Sequence, residues 1–333
     1  MSSARRALTV RALALLSVAA ALCTAWLAGF VGETAIASPA TTFVVHRYAN
    51  PEFAHLNAYV VETRRHVVLI DAGASEIDGA RLRAMISRIG KPVQAVLLTH
   101  GHIDHYGGIA SAVDERVPVI SGAGTARQIA EHDDIYFARI PTVFPKQRRL
   151  PQRIFGHGQS LTLDGVAFTL RELGPGESFA DVWWSVEARG RTAAFIGDVA
   201  MYGIHAFFQS GRSAAWLRSL HLLQDEIPAG AEIFLGHDTD PADAPPTMDG
   251  MGKIAWQIAY IETYRAAVRS VAQGRAHLNE TDVARVAEKM NGVLPKDRLD
   301  FLPTLGANIV AAELALEAAQ ADLEGDLQRL FAN

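Results

Sequence analysis

The chain has 333 residues, of which 49% are hydrophobic and 20% are charged, and its formal net charge at pH 7 is −5. This composition is typical of a globular protein with a substantial core and excludes a disordered chain. No basic run or patch stands out, so we expect a small-molecule substrate rather than nucleic acid as the partner.

The first 40 residues differ from the rest of the chain. Basic residues come first, an apolar run over 12–31 follows, and the small-residue site Ala35-Ile36-Ala37 comes last. This order predicts an export signal over residues 1–37. Because the apolar run is long, the alternative is an uncleaved membrane anchor. Either way, the remainder is expected to work in the periplasm or as a secreted protein.

The cysteine content restricts the chemistry of the exported part. The one cysteine of the chain, Cys23, lies inside the predicted signal. The exported part would therefore have no disulfide, no thiol nucleophile and no thiolate metal ligand. Cysteine hydrolases and cysteine-liganded metal sites are excluded on this basis.

Strand patterns begin at Thr41. Two β-branched runs, 57–63 and 66–71, predict a hairpin. Apolar spacing over 77–89 then predicts a helix, and 93–98 is a continuous apolar strand. This strand–helix–strand order places the following polar residues at the carboxyl end of a strand, where open α/β sheets usually have their sites.

The middle of the chain has strand and turn patterns, whereas its end has helical patterns. Asp164-Gly165 is a strong turn signal between two short strand patterns, and Arg189-Gly190 joins another pair. The segment 135–155 has no clear period and is either a lid or a plain connector. After residue 251 the pattern is helical, with predicted helices at 254–268, 279–290 and 309–330. We expect a catalytic domain over 41–245 and a helical segment over 246–333 that packs on it.

The run HGHIDH at positions 100–105 is the strongest chemical signal of the sequence. Three histidines in six positions are improbable by chance when the whole chain has 12. In an extended segment, His100 and His102 point to the same side and can reach one metal ion. The turn that follows directs Asp104 and His105 to a neighbouring point. Imidazole and carboxylate ligands suit zinc, iron or manganese.

This run, with Asp71-Ala72-Gly73 upstream, resembles the metallo-β-lactamase superfamily over residues 41–240. The resemblance implies an α/β fold, a four-layer αββα sandwich, with a two-metal site along one edge of the sheets. It implies that His100 and His102 bind the first metal and that Asp104 and His105 bind the second. Asp198 would bridge the two metals and His237 would complete the second site. Zinc is the metal expected first.

One position departs from the family pattern. The third ligand of the first metal is usually a histidine, but the stretch 173–182 contains none. Alignment of Pro175-Gly176 with the family's Pro-Gly favours Glu177 as this ligand, with Asp181 as the competing carboxylate. Carboxylates bind these metals well. The other alternative is that the first site has lost a ligand and is weak or empty.

The expected activity is hydrolysis of an ester, lactone or related carbonyl compound by a hydroxide that bridges the two metals. Asp104 is also a candidate proton acceptor. Tyr202 and His205, after the bridging aspartate, are candidate catalytic residues, although an aromatic run there equally fits packing. The alternatives are a β-lactamase, a sulfatase- or phosphodiesterase-like hydrolase, and a non-catalytic metal-binding protein on the same scaffold.

Overall fold

The computed structural model describes residues 43–139, 148–210, 212–241, 244–294 and 299–331. The expected export signal over 1–37 lies outside the described residues. Within the described part of the chain, no helix combines the length and the apolar character needed to span a membrane.

The first sheet is formed by the N-terminal half of this part. Its strands, in spatial order, are β1 (Val44–Asn50), β2 (Leu56–Glu62), β3 (Val67–Ile70), β4 (Val93–Leu97), β5 (Val119–Gly122) and β6 (Arg153–Phe155). The first three strands are antiparallel neighbours, which confirms the hairpin over 57–71, and β3 to β6 run parallel. Parallel pairing requires crossover connections, and helices supply them. These helices are α1 (Glu76–Ile89), α2 (Ile103–Tyr106), α3 (Ile109–Ala112) and α4 (Ala123–Arg139).

The second sheet follows in the chain. Its strands are β7 (Ser160–Leu163), β8 (Val166–Gly174), β9 (Asp181–Ala188), β10 (Arg191–Gly197) and β11 (Glu232–Leu235), in the order β11-β10-β9-β8-β7. The Asp164-Gly165 pair has φ of 53° and 81°, and the Arg189-Gly190 pair has φ of 48° and 80°. Two successive left-handed residues are what a tight type I′ hairpin requires, so both predicted hairpins are confirmed. Helix α5 (Ser213–Glu226) connects β10 to the parallel strand β11.

Alternation along the strands produces three apolar layers. In β2, Ala58 and Val60 face the layer under α1, whereas Tyr59 and Val61 face the layer between the two sheets. The outer face of the second sheet packs against helices in the third layer. Side chains of a strand point alternately to its two faces, so both sheets are covered on both sides. The predicted four-layer αββα sandwich is therefore confirmed.

The C-terminal helices belong to the third layer. They are α6 (Gly250–Ala272), α7 (Glu280–Asn291) and α8 (Leu302–Phe331). The Asn279 side chain caps α7 by accepting a hydrogen bond from the Asp282 N–H, as the predicted start at 279 required. Helix α8 begins at Leu302 rather than at 309. Pro303 lies in its first turn, where a missing N–H costs no intrahelical bond.

Four helices were not predicted from the sequence: the one-turn helices α2 and α3, and the longer helices α4 and α5. The polar and glycine-rich start of α4 concealed it, and α5 follows a loop without a strong cap. The segment 135–155, interpreted as a lid or a connector, includes the end of α4 and strand β6, while 140–147 lies outside the described residues. These elements leave the carboxyl ends of β3, β4, β10 and β11 at one edge of the sandwich.

Candidate metal centre

The candidate site lies at this shared edge, because its residues directly follow buried strands. His100 comes three residues after β4, Asp198 immediately after β10 and His237 two residues after β11. Glu177 lies in the connection between β8 and β9. All four side chains are buried, with 0–3% of their surface exposed. The topology thus collects residues that are far apart in the sequence.

Two glycines make the close approach possible. Gly197 has φ of +55°, and a Cβ there would lie 2.5 Å from Thr99 Oγ1. A Cβ on Gly236 would lie 1.9 Å from Asp198 Oδ1. Both distances are shorter than real Cβ contacts, so a side chain at either position would displace the neighbouring residue. Glycine is therefore required for steric reasons directly before Asp198 and directly before His237.

The first group of donors consists of His100, His102 and Glu177. His102 Nδ1 lies 2.8 Å and His100 Nε2 lies 3.6 Å from Glu177 Oε2. The three ligand atoms lie within 4.8 Å of one another. This geometry matches the carboxylate alternative that the sequence favoured for the first metal.

The second group consists of Asp104, His105 and His237. Asp104 Oδ2 lies 3.9 Å from His105 Nε2 and 3.4 Å from His237 Nε2. Asp104 is the most exposed of these side chains at 21%, against 0% and 4% for the two histidines. It is therefore the member of this group that faces the opening of the site.

Asp198 joins the two groups. Its Oδ2 atom lies 3.7 Å from His100 Nε2, 3.3 Å from His105 Nε2 and 3.2 Å from His237 Nε2. One carboxylate thus contacts histidines from both groups, as a metal-bridging ligand must. These overlapping groups indicate a site for two metal ions.

The donor atoms have the pattern expected of metal ligands. His100 Nε2 and His105 Nε2 are buried and have no hydrogen-bond partner among the described residues. Buried polar atoms are normally satisfied, and a coordinated metal would satisfy these. A donor set of imidazole and carboxylate, without thiolate, fits a divalent metal such as zinc, iron or manganese.

The opposite ring nitrogens of the histidines are held by the protein. Asp71 Oδ2 lies 3.0 Å from His105 Nδ1, and the same carboxylate accepts hydrogen bonds from the Thr99 N–H and Oγ1. His237 Nδ1 lies 2.7 Å from the carbonyl oxygen of Ala54. Such bonds fix the ring orientation and leave Nε2 for the metal. In the sequence, Asp71 supported the family resemblance but was given no role at the site, although its position at the end of a strand was an available signal.

The electrostatics of the cluster couple its imidazoles to its carboxylates. Burial disfavours the charged form of His102, but the Glu177 carboxylate outweighs it and raises the pKa of His102 to about 9. Burial acts in the same way on His237, whose pKa Asp198 and Asp104 raise to about 10. Despite burial, His105 and His237 lower the pKa of Asp198 below its usual value. Bound metal would replace the protons on these rings.

Asp181, the competing carboxylate, lies outside the three donor groups found among the described residues. It is buried, and its Oδ2 accepts a hydrogen bond from the Ser178 N–H at 3.0 Å. Burial and the neighbouring Glu177 raise the pKa of Asp181 to about 7. Asp181 is the first residue of β9, and its hydrogen bond with Ser178 joins it to the loop that carries Glu177.

Tyr202 and His205 make their described contacts with other parts of the chain. The Tyr202 hydroxyl lies 3.2 Å from Thr247 Oγ1, while its backbone N–H donates to the His237 carbonyl. His205 is buried, and its Nδ1 lies 2.6 Å from the Tyr260 hydroxyl of α6. The structure therefore does not bring these two side chains into the donor groups, because both turn towards the C-terminal segment.

Among known proteins, two relatives match a short part of this chain. The chain is 39% identical over 59 residues to "Uncharacterized protein YobT" of Bacillus subtilis (strain 168), which is 18% of this chain and 25% of that protein. It is 40% identical over 62 residues to "Atrochrysone carboxyl ACP thioesterase" of Passalora fulva, 18% of this chain and 19% of that protein. The matched segments thus span about a quarter and a fifth of these relatives.

Solved structures resemble the whole sandwich at low identity. A beta-lactamase domain protein from Burkholderia ambifaria has a TM-score of 0.55 at 18% identity and covers 85% of this chain and 87% of that one. A metallo-beta-lactamase from Pontibacter korlensis has a TM-score of 0.52 at 17% identity, covering 67% of this chain and 99% of that one. At this identity the likeness concerns the fold.

A family model covers all the residues of the candidate metal centre. The model of the metallo-beta-lactamase superfamily matches residues 53–251, a range that includes every residue of the three donor groups. The fold and the buried histidine–carboxylate cluster agree with this match, so the chain belongs to the metallo-beta-lactamase superfamily as an enzyme of that fold.

Proposed function

We propose that this chain is an exported metal-dependent hydrolase that acts on an ester, lactone or related carbonyl compound, with zinc as its metal. The observation that carries the proposal is the position of Asp198, whose Oδ2 contacts His100, His105 and His237. Export is proposed from the order of basic, apolar and small residues over 1–37.

The proposed chemistry needs no nucleophilic side chain. Divalent metal ions bound here would lower the pKa of a water molecule and polarise a carbonyl oxygen. The chain itself holds the ligands in place: Asp71 fixes the His105 ring, and the Ala54 carbonyl fixes that of His237. Phe207 packs edge-on against His102, with the ring centroids 5.6 Å apart.

Asp104 has the clearest additional role. It is the partly exposed member of the second group, so a substrate can reach it. Burial raises its pKa, but His105 and His237 outweigh this and keep the pKa of Asp104 below its usual value. An ionised carboxylate at the opening can orient a water molecule or accept its proton.

The carbonyl class is favoured over the alternatives by two features. The partial relative from Passalora fulva is named a thioesterase, and a thioester is a related carbonyl compound. A β-lactamase is less favoured, because Glu177 occupies the position where members of that class use histidine. The acidic donor keeps a sulfatase- or phosphodiesterase-like activity as the second candidate.

Metal analysis and a substrate panel on the same preparation test this proposal. The panel contains an ester, a lactone, a thioester, a β-lactam, a sulfate ester and a phosphodiester. We expect bound metal and hydrolysis of at least one carbonyl ester, with both lost in Asp198→Ala. His221→Ala, on the exposed side of α5, is the matched control and should keep both. Substoichiometric metal in the wild type, or full activity of Asp198→Ala, would contradict the enzyme proposal.

A further inference from the structure

An exposed aromatic side chain lies next to the first donor group. Phe179 follows Glu177 by two residues and is 38% exposed, although large apolar side chains are usually buried. The His132 ring stacks on it, with centroids 5.6 Å apart and an interplanar angle of 18°. Phe207 lies on the His102 side of the same cluster. Aromatic rings thus lie against His102 and on the loop that carries Glu177, two members of the first donor group.

Arg212 places a positive charge on this surface. Its guanidinium carbon lies 4.9 Å from the Phe179 ring centroid, and the residue is exposed. A guanidinium that stacks on an aromatic face keeps its N–H edge available for a planar anion. Within the described part of the chain, Arg212 forms no ion pair with a carboxylate. The charge is thus oriented by the ring but not neutralised.

The backbone ties this charge to the metal centre. Ser210, two residues before Arg212, donates a hydrogen bond from Oγ to the Glu177 carbonyl oxygen at 2.5 Å. Arg212 is also the N-cap residue of α5, but its side chain makes no capping bond. The Arg212 carbonyl accepts the first hydrogen bond of α5, from the Trp216 N–H at 2.8 Å, so the helix fixes the backbone of Arg212 and leaves its side chain on the Phe179 ring.

Nearby acidic residues do not cancel this charge. Asp133 and Asp134, which follow His132 on α4, are both paired with Arg148, at 2.5 and 3.3 Å. Glu313, which accepts hydrogen bonds from the N–H groups of Ser213 and Ala214, forms an ion pair with Arg265 at 3.6 Å. The chain as a whole is acidic, with a net charge of −5. Its overall electrostatic field therefore does not attract an anionic substrate. The local positive charge of Arg212, beside the loop that carries Glu177, is the feature that would attract it.

We propose that Arg212 binds a carboxylate or phosphate group of the substrate, while Phe179 and Phe207 contact its apolar chain. The inference rests on the proposed function and specifies its substrate class: a carbonyl ester with a negative charge at the end remote from the scissile bond. Paired N–H donors of arginine match the oxygens of both anions.

Matched esters test the inference by kinetics. The probes are phenyl hexanoate, monophenyl adipate with its terminal carboxylate, and the counterpart that ends in a phosphate. In Arg212→Met, we expect the ratio of kcat/KM for the anionic ester to that for the neutral ester to fall about tenfold, because a charge-assisted hydrogen bond is lost. Arg212→Lys should fall less. Arg218→Met, at an exposed position of the same helix, should keep the wild-type ratio. The carboxylate and phosphate arms identify which anion is preferred.

Binding gives a readout that does not need turnover. By calorimetry, Arg212→Met should bind adipate about tenfold more weakly than the wild type does, while hexanoate, which lacks the second carboxylate, changes much less. If Arg212→Met changes kcat/KM equally for the anionic and the neutral ester, and binding equally for adipate and hexanoate, the inference is overturned. The hydrolase proposal would then remain intact. Absence of bound metal and of ester hydrolysis in the wild type would instead overturn the proposed function.

Discussion

Glu177 gives the first donor group a carboxylate where members of this superfamily usually have a histidine. With Asp104 and Asp198, three carboxylates then contact the cluster. Each additional negative charge favours harder metals, because carboxylate suits manganese better than imidazole does. The residue at 177 is therefore expected to decide which metal the site retains.

Exchange of Glu177 for histidine tests this role. When loaded from an equimolar mixture of zinc and manganese, Glu177→His should hold a higher zinc-to-manganese ratio than the wild type. Glu172→His, at an exposed position of β8, controls for the added imidazole and should match the wild type. The measurement is elemental analysis of the purified protein. An unchanged metal ratio would mean that the Glu177 carboxylate does not contact the metal.

Asp71 acts on the site through His105. Because its carboxylate lies 3.0 Å from His105 Nδ1, Asp71→Asn should leave the ring less well oriented and weaken metal binding by about 10–100-fold. Asp114→Asn, on the exposed surface, is the control. A competition titration with a chelator measures the affinity. If Asp71→Asn binds metal as tightly as the wild type, the contact does not orient the ligand.

At this scale, residue spacing explains what could be predicted. The run from His100 to His105 has a short, fixed geometry, so its convergence is visible in the sequence. Tyr202 and His205 are different, because their direction depends on α6, which approaches from far along the chain. A local pattern carries no information on such a contact. Their catalytic role therefore stays a prediction without geometric support.

At the scale of elements, α6 is joined to the segment after β11 by a buried ion cluster. Lys253 is 4% exposed and lies 2.6 Å from Asp238 and 2.5 Å from Asp240. It also lies over the Tyr202 ring, at 4.9 Å from the centroid. Asp238 directly follows His237, so this cluster anchors the segment that carries a metal ligand.

Removal of the Lys253 charge should lower the stability of the fold. Lys253→Met leaves two buried carboxylates without their partner, and we expect a loss of about 3–5 kcal/mol in the free energy of unfolding. Lys289→Met, at an exposed position of α7, should change it by less than about 0.5 kcal/mol. Denaturant titration of the metal-free proteins measures both. Similar stability of the two variants would show that the buried cluster contributes little.

The same cluster predicts a pH dependence. Burial raises the pKa of Asp240, but Lys253 and Thr247 outweigh it, and the pKa lies below its usual value. A lowered folded-state pKa stabilises the protein above the unfolded pKa, and this contribution disappears as the pH falls through the folded-state pKa. The loss of unfolding free energy caused by Asp240→Asn should therefore have its full size at neutral pH and become smaller below about pH 4. Denaturant titrations across this range measure it, and a difference independent of pH would contradict the assignment.

The elements differ in how far the sequence specifies them. Hairpins with Asp164-Gly165 or Arg189-Gly190 could be predicted, because their turn residues have a local conformational reason. Helix α4 could not, since its first turn contains Gly124, which is there for a tertiary contact: a Cβ would lie 2.3 Å from the Ala180 Cβ. Where packing across the molecule selects the residue, local propensity gives the wrong answer.

At the scale of the whole molecule, the outer face of the second sheet depends on distant sequence. Trp216 and Leu220 of α5 share one apolar layer with Ile254, Ile261 and Val268 of α6. The family match ends at residue 251, the second residue of α6. The layer that supports β10 and β11, and hence Asp198 and His237, is therefore completed by residues beyond the matched range.

Truncation tests whether the segment 246–333 is needed for this support. A chain that ends at residue 245 would expose buried side chains of α5, each contributing about 1.5–3 kcal/mol, and their sum is comparable to the whole stability of a domain. We expect no cooperative thermal unfolding and no metal binding. The matched control ends at Ala321, because α8 is largely exposed beyond that point. This control keeps Glu313, which accepts hydrogen bonds from N–H groups at the start of α5. It should unfold cooperatively and bind metal. A folded, metal-binding protein ending at residue 245 would mean that the sandwich up to β11 supports the site by itself.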